Sequence, residues 1–351
     1  MSKKILIIAP NWIGDMVGAQ SLLISLKILN PDCVIDVAGP KACLELTKFM
    51  PEVNETFILD LKHGKVGFKK RWLEAKQIKA KNYDQCIITP NSIKSAIIPF
   101  LARIKKRTGW LGESRYILLN DHRKLDKQTF PLMVDRYNAL AFDKSIIPNS
   151  APLPRMSVSK QQITETTTKY SIDTTIPTIA ICPGAAYGPS KQWPAKYFAS
   201  VSKSLIAKGY NIIVLGSPAD NEISQERVDL TNSKNIINLS GKTSIAEVAI
   251  LLVVSKLVVS NDSGLGNISC ALGLESVILY GSSAGAIVAP PKSDNLTRVY
   301  VPKLECHPCK DRVCHLGHFK CMMDLTPEKV LTIIKSKIQE ADRSTSKQYS
   351  E

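Results

Sequence analysis

The sequence predicts an α/β protein built from two Rossmann-like halves, and three observations carry that expectation. Short apolar runs of strand length recur along the chain, helical patterns separate them, and the series stops at a proline-rich stretch and then starts again. Strands alternating with helices imply βαβ units and a parallel sheet. Sheets of that kind bind ligands at the carboxyl ends of their strands, so a ligand is expected in a cleft between the halves. A length of 351 residues suits two cores better than one.

The first strand is expected at residues 4–9, where Ile5, Leu6, Ile7 and Ile8 follow Lys3 and Lys4. Basic residues before an apolar run imitate a signal peptide, but this run is short and meets Asn11, Trp12, Gly14 and Asp15 instead of a small-residue cleavage site. Residues 16–29 show helical spacing and stop at Asn30-Pro31. Further strands are expected at 34–38 and 85–89. Between them, residues 62–81 hold eight basic residues and one acid, Glu74, with Phe68, Trp72 and Ala75 at helical spacing. That pattern reads as a solvated helix packed on the sheet; its sharper alternative is a helix lying on a membrane surface. Arg103, Lys105, Lys106 and Arg107 form a second basic cluster, and neither cluster contains an RNA-binding signature.

Pro148, Pro152 and Pro154 mark a linker, and the polar stretch 160–175 after it suits a helix in part. The expected boundaries are a first domain at 1–155, a linker region at 156–176, a second domain at 177–340 and a disordered polar tail at 341–351. The second domain repeats the pattern, with strands at 178–182, 211–215, 236–239, 257–260 and 276–280 and helices at 197–208 and 245–254. Thr326-Pro327-Glu328 opens a last helix with proline at its first position.

No run of about 18 apolar residues occurs, so nothing is expected to span a membrane. Nine cysteines, five of them scattered singly, point to reduced thiols and the cytosol. The net charge of +15 is uneven: residues 1–150 hold 24 Lys and Arg against 14 Asp and Glu, while residues 151–351 hold 22 against 17. The first half is therefore expected to face something anionic.

Four motifs carry candidate chemistry. Asn261-Asp262-Ser263-Gly264-Leu265 joins an apolar run to a helical one, where a small-residue turn aims backbone N–H groups at one point and can hold a phosphate. An ordinary turn with Asp262 or Ser263 as helix cap is the plainer alternative. Pro183-Gly184-Ala185 with Gly188-Pro189-Ser190-Lys191 ends another strand of the same half, and together the two make a two-sided diphosphate clamp. Gly264 and Gly266 do not complete a dinucleotide fingerprint, because Ser269 holds the third glycine position. Asp15, after the first strand, is either the cap of the first helix or a general base. Finally, Cys306, Cys309, Cys314 and Cys321 gather with His307, His315 and His318 in sixteen residues; tetrahedral zinc and free thiols are both open readings.

Taken in order, these residues resemble the bacterial lipopolysaccharide heptosyltransferases of glycosyltransferase family 9. The resemblance runs from Ile5 to about Leu331. It rests on Pro10-Asn11-Trp12-Ile13-Gly14-Asp15-Met16, the segment 50–55, Pro90-Asn91-Ser92-Ile93-Lys94-Ser95, Arg107-Thr108-Gly109-Trp110, the segments 115–121 and 131–137, Cys182-Pro183-Gly184-Ala185, Lys191-Gln192-Trp193-Pro194, Leu215-Gly216-Ser217, Asn261-Asp262-Ser263-Gly264-Leu265 and Leu279-Tyr280-Gly281-Ser282.

The resemblance implies a GT-B fold whose first domain binds acceptor and whose second binds donor. It implies an inverting, metal-independent transfer of L-glycero-D-manno-heptose from ADP-heptose to lipid A carrying Kdo and a first heptose, with no cofactor and no nucleic acid. The place of work would be the cytoplasmic face of the inner membrane, held peripherally. The chain contains no Asp-x-Asp, in keeping with that chemistry. Asp15 would be the base and Lys191 would stabilise the leaving ADP. Donor contacts would come from Ala186, Tyr187, Ser190, Lys191, Glu222, Thr243, Asp262, Ser263, Gly264, Leu265 and Asn267, and acceptor anions would meet Lys94, Arg107 and Arg115. Two departures stand out: Asn267 replaces the family's histidine, and residues 283–290 lack the usual Thr-x-Pro run.

Overall fold

The computed structural model describes residues 2–59, 67–283 and 295–348, so the departure at 284–290 lies outside the described residues, as do 62–66 of the basic segment. The chain divides into two compact units, Met1–Met156 and Ser157–Glu351.

The first unit contains β1 (Lys4–Ile8), α1 (Ile13–Leu29), β2 (Val34–Gly39), α2 (Lys41–Glu45), β3 (Glu55–Ile58), α3 (Phe68–Ala80), β4 (Gln85–Ile88), α4 (Ile93–Leu101), β5 (Lys106–Trp110), β6 (Asp121–Arg123) and α5 (Met133–Ala139). The six strands form one sheet in the order β3-β2-β1-β4-β5-β6, and every pairing is parallel. Leu6, Ile8, Cys86 and Ile88 line its core with Ala75, Ile78, Ala96 and Ile98 from the helices above. Residues 152–155 fold back on α1, where the Gln20 side chain donates to the Arg155 carbonyl at 2.6 Å and Ser21 donates to that of Pro152 at 2.7 Å.

The second unit contains α6 (Lys160–Lys169), β7 (Thr178–Cys182), α7 (Ala195–Ile206), β8 (Asn211–Val214), α8 (Asn221–Thr231), β9 (Ile236–Asn238), α9 (Ile245–Val253), β10 (Ser255–Asn261), α10 (Gly264–Ala271), β11 (Ser276–Leu279), β12 (Leu296–Val299), α11 (Lys320–Met323) and α12 (Pro327–Gln348). Its all-parallel sheet runs β12-β11-β10-β7-β8-β9. Both sheets reverse direction beside their first strand. The crevice outside the carboxyl ends there is the binding position of a doubly wound sheet. It falls between β1 and β4 in the first unit and between β7 and β10 in the second.

Within 156–176, the helix expected in part of 160–175 is α6: Ser159 caps it in a capping box with Gln162, and Lys169 pairs with Glu247 of α9. Two expectations need correction. The tail from 341 is not without structure, since α12 continues to Gln348. On α3 the buried face is Arg71, Ala75 and Ile78, one turn apart, while Trp72 is half exposed. Arg71 takes the inner face, where its guanidinium donates to the Lys94 carbonyl at 2.8 Å.

Candidate functional site

In the first unit, β1 ends against the loop 9–12, and α1 begins at Ile13 with Trp12 as its N-cap. Asp15 is therefore not the cap; it is the third residue of the helix, and the Trp12 side chain caps nothing. The Asp15 carboxyl is half-buried and accepts no hydrogen bond from any described residue. Burial raises its pKa above the ordinary aspartate value. It lies close enough to the buried Cys43 and Tyr137 that its charge helps to push both of their pKa values up, although burial is the larger cause in each. An unpaired carboxylate of raised pKa at a switch point has the attributes of a proton acceptor.

Across the same switch point, β4 leads through Thr89–Ser92 into α4, and Lys94 stands in its first turn, half-buried. The two expected arginines are placed differently. Arg107 is at the amino end of β5, away from the carboxyl edge, and its guanidinium donates to the carbonyls of Leu118 at 2.8 Å and Ile104 at 2.6 Å. Arg115 is 2 % exposed. It donates to the Ser92 carbonyl at 3.1 Å, the Ser95 hydroxyl at 2.9 Å and the Trp110 carbonyl at 2.7 Å, and burial lowers its pKa to about 10. Arg115 thus ties the loop after β4 to the end of β5. Both arginines bond to the protein's own carbonyls, although the buried Arg115 Nε has no hydrogen-bond partner among the described residues.

In the second unit the two expected clamp loops meet. The Lys191 ammonium is 2.5 Å from the Asp262 carboxylate, with the side chains 14 % and 11 % exposed. The Ser283 hydroxyl donates to the same carboxylate oxygen. Lys191 also lies 4.9 Å from the centre of the Tyr187 ring, which Arg312 flanks at 5.5 Å. Ser263 is the N-cap of α10 and gives no side-chain cap bond, so the N–H groups of Gly264, Leu265 and Gly266 begin the helix without intrahelical partners. A cation held next to Asp262 and open amides from the residues just after it are an arrangement that can hold an anion.

Asn267 is buried, and its side-chain amide donates to the Ser263 carbonyl at 3.3 Å, back into its own first turn. Ala186 and Tyr187 are exposed in the turn after β7. Glu222 is exposed in the first turn of α8, after β8, and Thr243 is half-buried after β9. All the expected donor residues therefore lie on the carboxyl edge of this one sheet.

The structure gives positioning roles to Asn261 and Trp193, which the sequence reading quoted only within motifs, and shows what holds the expected donor residue Ser190. Asn261 is fully buried; its amide donates to the Pro183 carbonyl at 2.6 Å and its oxygen accepts from the Trp193 N–H at 3.2 Å. It fastens the ends of β7 and β10 together. The only sequence signal was its place directly before Asp262. Trp193, also fully buried, packs edge-on against Phe198 at 4.8 Å and donates its indole N–H to the Leu325 carbonyl at 2.7 Å. Ser190 is held by the Ser282 hydroxyl at 2.9 Å and by the backbone carbonyls of Asp311 and Arg312. Gly188 makes that approach possible: its φ is +152°, and a Cβ there would stand 2.5 Å from the Arg312 carbonyl oxygen.

A cavity that reaches Ser190 and Ser282 is lined by Cys306, Cys309, Cys314 and Cys321 with His307, His315 and His318. Nearby backbone N–H groups, that of Phe319 foremost, hold the Cys314 thiol below its ordinary pKa, and the Gly317 N–H donates to the Cys314 carbonyl at 3.0 Å. Burial pushes the Cys321 thiol up to about 11, and the thiols of Cys309, Cys314 and Cys306 add to the rise.

A family model described as glycosyltransferase family 9 (heptosyltransferase) matches residues 71–320. Lipopolysaccharide heptosyltransferase 2 of Salmonella typhimurium is 39% identical over 346 residues, which are 96% of this chain and 99% of that one. Lipooligosaccharide heptosyltransferase 2 of Haemophilus influenzae is 39% identical over 339 residues, covering 93% and 97%. The solved structure of E. coli ADP-heptose LPS heptosyltransferase II superposes with a TM-score of 0.88 at 36% identity, covering 97% of this chain and 99% of that one. The two Rossmann-like units are those of the GT-B class. With a family model over more than half its length and near full-length relatives at this identity, the chain belongs to glycosyltransferase family 9, the heptosyltransferases.

Proposed function

We propose that this chain is a type II heptosyltransferase. It moves L-glycero-D-manno-heptose from ADP-heptose to lipid A bearing Kdo and a first heptose, in the building of the lipopolysaccharide inner core. The observation that carries the donor half of this reading is the Lys191–Asp262 pair at the switch point of the second sheet, beside the open amides of α10. The acceptor hydroxyl oxygen attacks the anomeric carbon on the face opposite the diphosphate, which inverts the centre. Its proton passes to the Asp15 carboxylate. The bond from the anomeric carbon to the phosphate oxygen breaks, and its electron pair leaves with ADP. Lys191 and the N–H groups of Gly264 and Leu265 receive the new charge, in the role a metal fills in other glycosyltransferases. Asp262 is an anion and does not cradle phosphate; it holds Lys191. Glu222 and Thr243 serve the nucleoside. Among the basic residues expected to meet acceptor anions, Lys94 is the one with an uncommitted side chain at the carboxyl edge; Arg115 positions its loop, and Arg107 supports the far end of β5.

The acceptor is anionic and lipid-linked, which suits the basic excess of residues 1–150. We place the protein peripherally on the cytoplasmic face of the membrane. No helix among the described residues is long and apolar enough to cross one. The outer face of α3 offers Lys69, Lys70 and Lys76 around the exposed Trp72 and Leu73, with the Lys76 ammonium 3.7 Å from the Trp72 ring centre.

The decisive test mixes purified protein with ADP-heptose and heptosyl-Kdo-lipid A. One heptosyl residue should appear on the acceptor by mass, with one ADP released for each. Tight ADP-heptose binding without transfer would replace this reading with that of a relative that has lost catalysis, for which Asn267 in the histidine position is the specific motive.

A further inference from the structure

We propose that the Arg312 guanidinium is a further donor-binding group, which contacts the diphosphate of the sugar nucleotide beside Lys191. The proposal rests on the donor reading above and adds a residue that no sequence motif singled out.

Position is the first argument. Residues 310–312 lie against both loops of the donor edge through their backbone. The Lys310 N–H donates to the Ser282 carbonyl at 2.9 Å, and the Ser190 N–H donates to the Arg312 carbonyl at 3.2 Å. The Ser190 hydroxyl donates to the Asp311 carbonyl. A Cβ at Gly188 would stand 3.3 Å from the Arg312 Cα. Ser190 and Lys191 belong to one turn, Pro189–Lys191, so the backbone of Arg312 is fixed beside the residue that precedes Lys191.

The side chain returns to the same place. The Arg312 guanidinium carbon is 5.5 Å from the centre of the Tyr187 ring, and the Lys191 ammonium is 4.9 Å from that centre. The two cations therefore lie within about 10 Å of each other, a span over which both can bond to one diphosphate. The Tyr187 hydroxyl donates to the Lys310 carbonyl, so the segment that carries Arg312 also holds the ring. Contact with a ring leaves guanidinium N–H groups free, and their fork suits two phosphate oxygens at once.

Charge is the second argument. Lys191 is paired with Asp262 at 2.5 Å, and Ser283 donates to the same carboxylate oxygen. Arg312 is exposed and pairs with no described carboxylate; its neighbour Asp311 is bonded to His315 at 2.6 Å. Two cations thus face one ring, and Asp262 offsets only one of them. A bound diphosphate relieves that excess. Of the two cations, Arg312 is the one that can take the resting diphosphate at no cost to an existing ion pair.

The test uses the full chain with ADP and adenosine as probes, each measured by calorimetry. The unaltered protein should prefer ADP. Arg312→Gln removes the charge and keeps the backbone carbonyl that binds Ser190. It should weaken ADP binding about tenfold or more and leave adenosine binding as it was. Arg312→Lys, which keeps the charge, should recover part of the loss. An unaltered protein that binds ADP no better than adenosine would overturn the donor reading, and the Arg312 contact with it. A preference for ADP that survives Arg312→Gln would overturn the contact alone. Equal loss of ADP and adenosine would make Arg312 a prop for Tyr187 and overturn the phosphate contact. Arg312→Lys no better than Arg312→Gln would overturn the role of its charge.

Discussion

Asp15→Asn separates chemistry from structure because the two predict effects of opposite sign. A positioned base contributes about 10²–10⁴ in rate, or roughly 2.7–5.5 kcal/mol of barrier. The helix-terminal attraction available to a carboxylate in the first turn of α1 is only about 0.3–1 kcal/mol. Burial outweighs that attraction, since the net shift of the Asp15 pKa is upward. A carboxyl whose pKa rises on folding favours the fold while it is protonated. That contribution is fully present below the unfolded value, close to 3.8, and is lost as pH rises through the higher folded value. At pH 7 the ionised Asp15 therefore costs stability that asparagine does not. The variant should melt at or above the parent at pH 7, and its advantage should vanish as pH falls toward 3.8. It should bind ADP-heptose normally and lose turnover by about 10² or more. The acidic limb of kcat/KM, set in the parent by a carboxyl titrating above the ordinary range, should disappear with it. Near-normal turnover with the acidic limb intact would refute the base assignment. A lower melting temperature at pH 7 would refute the account of its burial.

Lys191→Met should weaken ADP binding by roughly 1.5–3 kcal/mol, about 10- to 150-fold by calorimetry, and unchanged affinity would remove Lys191 from the site. Asn261→Leu leaves the Pro183 carbonyl and the Trp193 N–H without partners, and should cost roughly 1–3 kcal/mol for each in a denaturant melt; a neutral result would show that the β7 and β10 ends do not depend on that bridge. Reversal of Lys69, Lys70 and Lys76 to glutamate should reduce binding to anionic vesicles by about 1 kcal/mol or more per residue, with a loss that shrinks as salt rises. Equal binding at low salt would take α3 out of the membrane reading.

The strands were readable because burial on both faces of a parallel sheet leaves continuous apolar runs, such as Thr178–Cys182, with few polar interruptions. The loops that meet at Lys191 and Asp262 were readable as turns at strand ends, because glycine and proline close such turns. What stayed hidden was the destination of long side chains. Composition makes Arg107 and Arg115 look like surface cations, yet the carbonyls left open by neighbouring loops draw both guanidiniums inward. On α3, Arg71 lies inside and Trp72 outside, against the expected spacing. Polarity misread the tail from 341, which continues α12 to Gln348.

The ion pair at Lys191 has a consequence for where binding energy is used. On the proposed reading, a lysine paired with Asp262 attracts the diphosphate of a sugar nucleotide less than that of released ADP, which carries more negative charge; the ground-state grip is shared with the amides of α10 and the nucleoside contacts along the same edge. When the bond to the sugar breaks, the departing phosphate gains a charge, and a cation already fixed beside it responds without reorganising solvent. The Ser283 hydroxyl, on the same carboxylate oxygen, is placed to keep Asp262 satisfied as Lys191 turns toward the leaving group. On the proposed reading, such an arrangement favours the transition state over the substrate, which is the requirement for a fast chemical step.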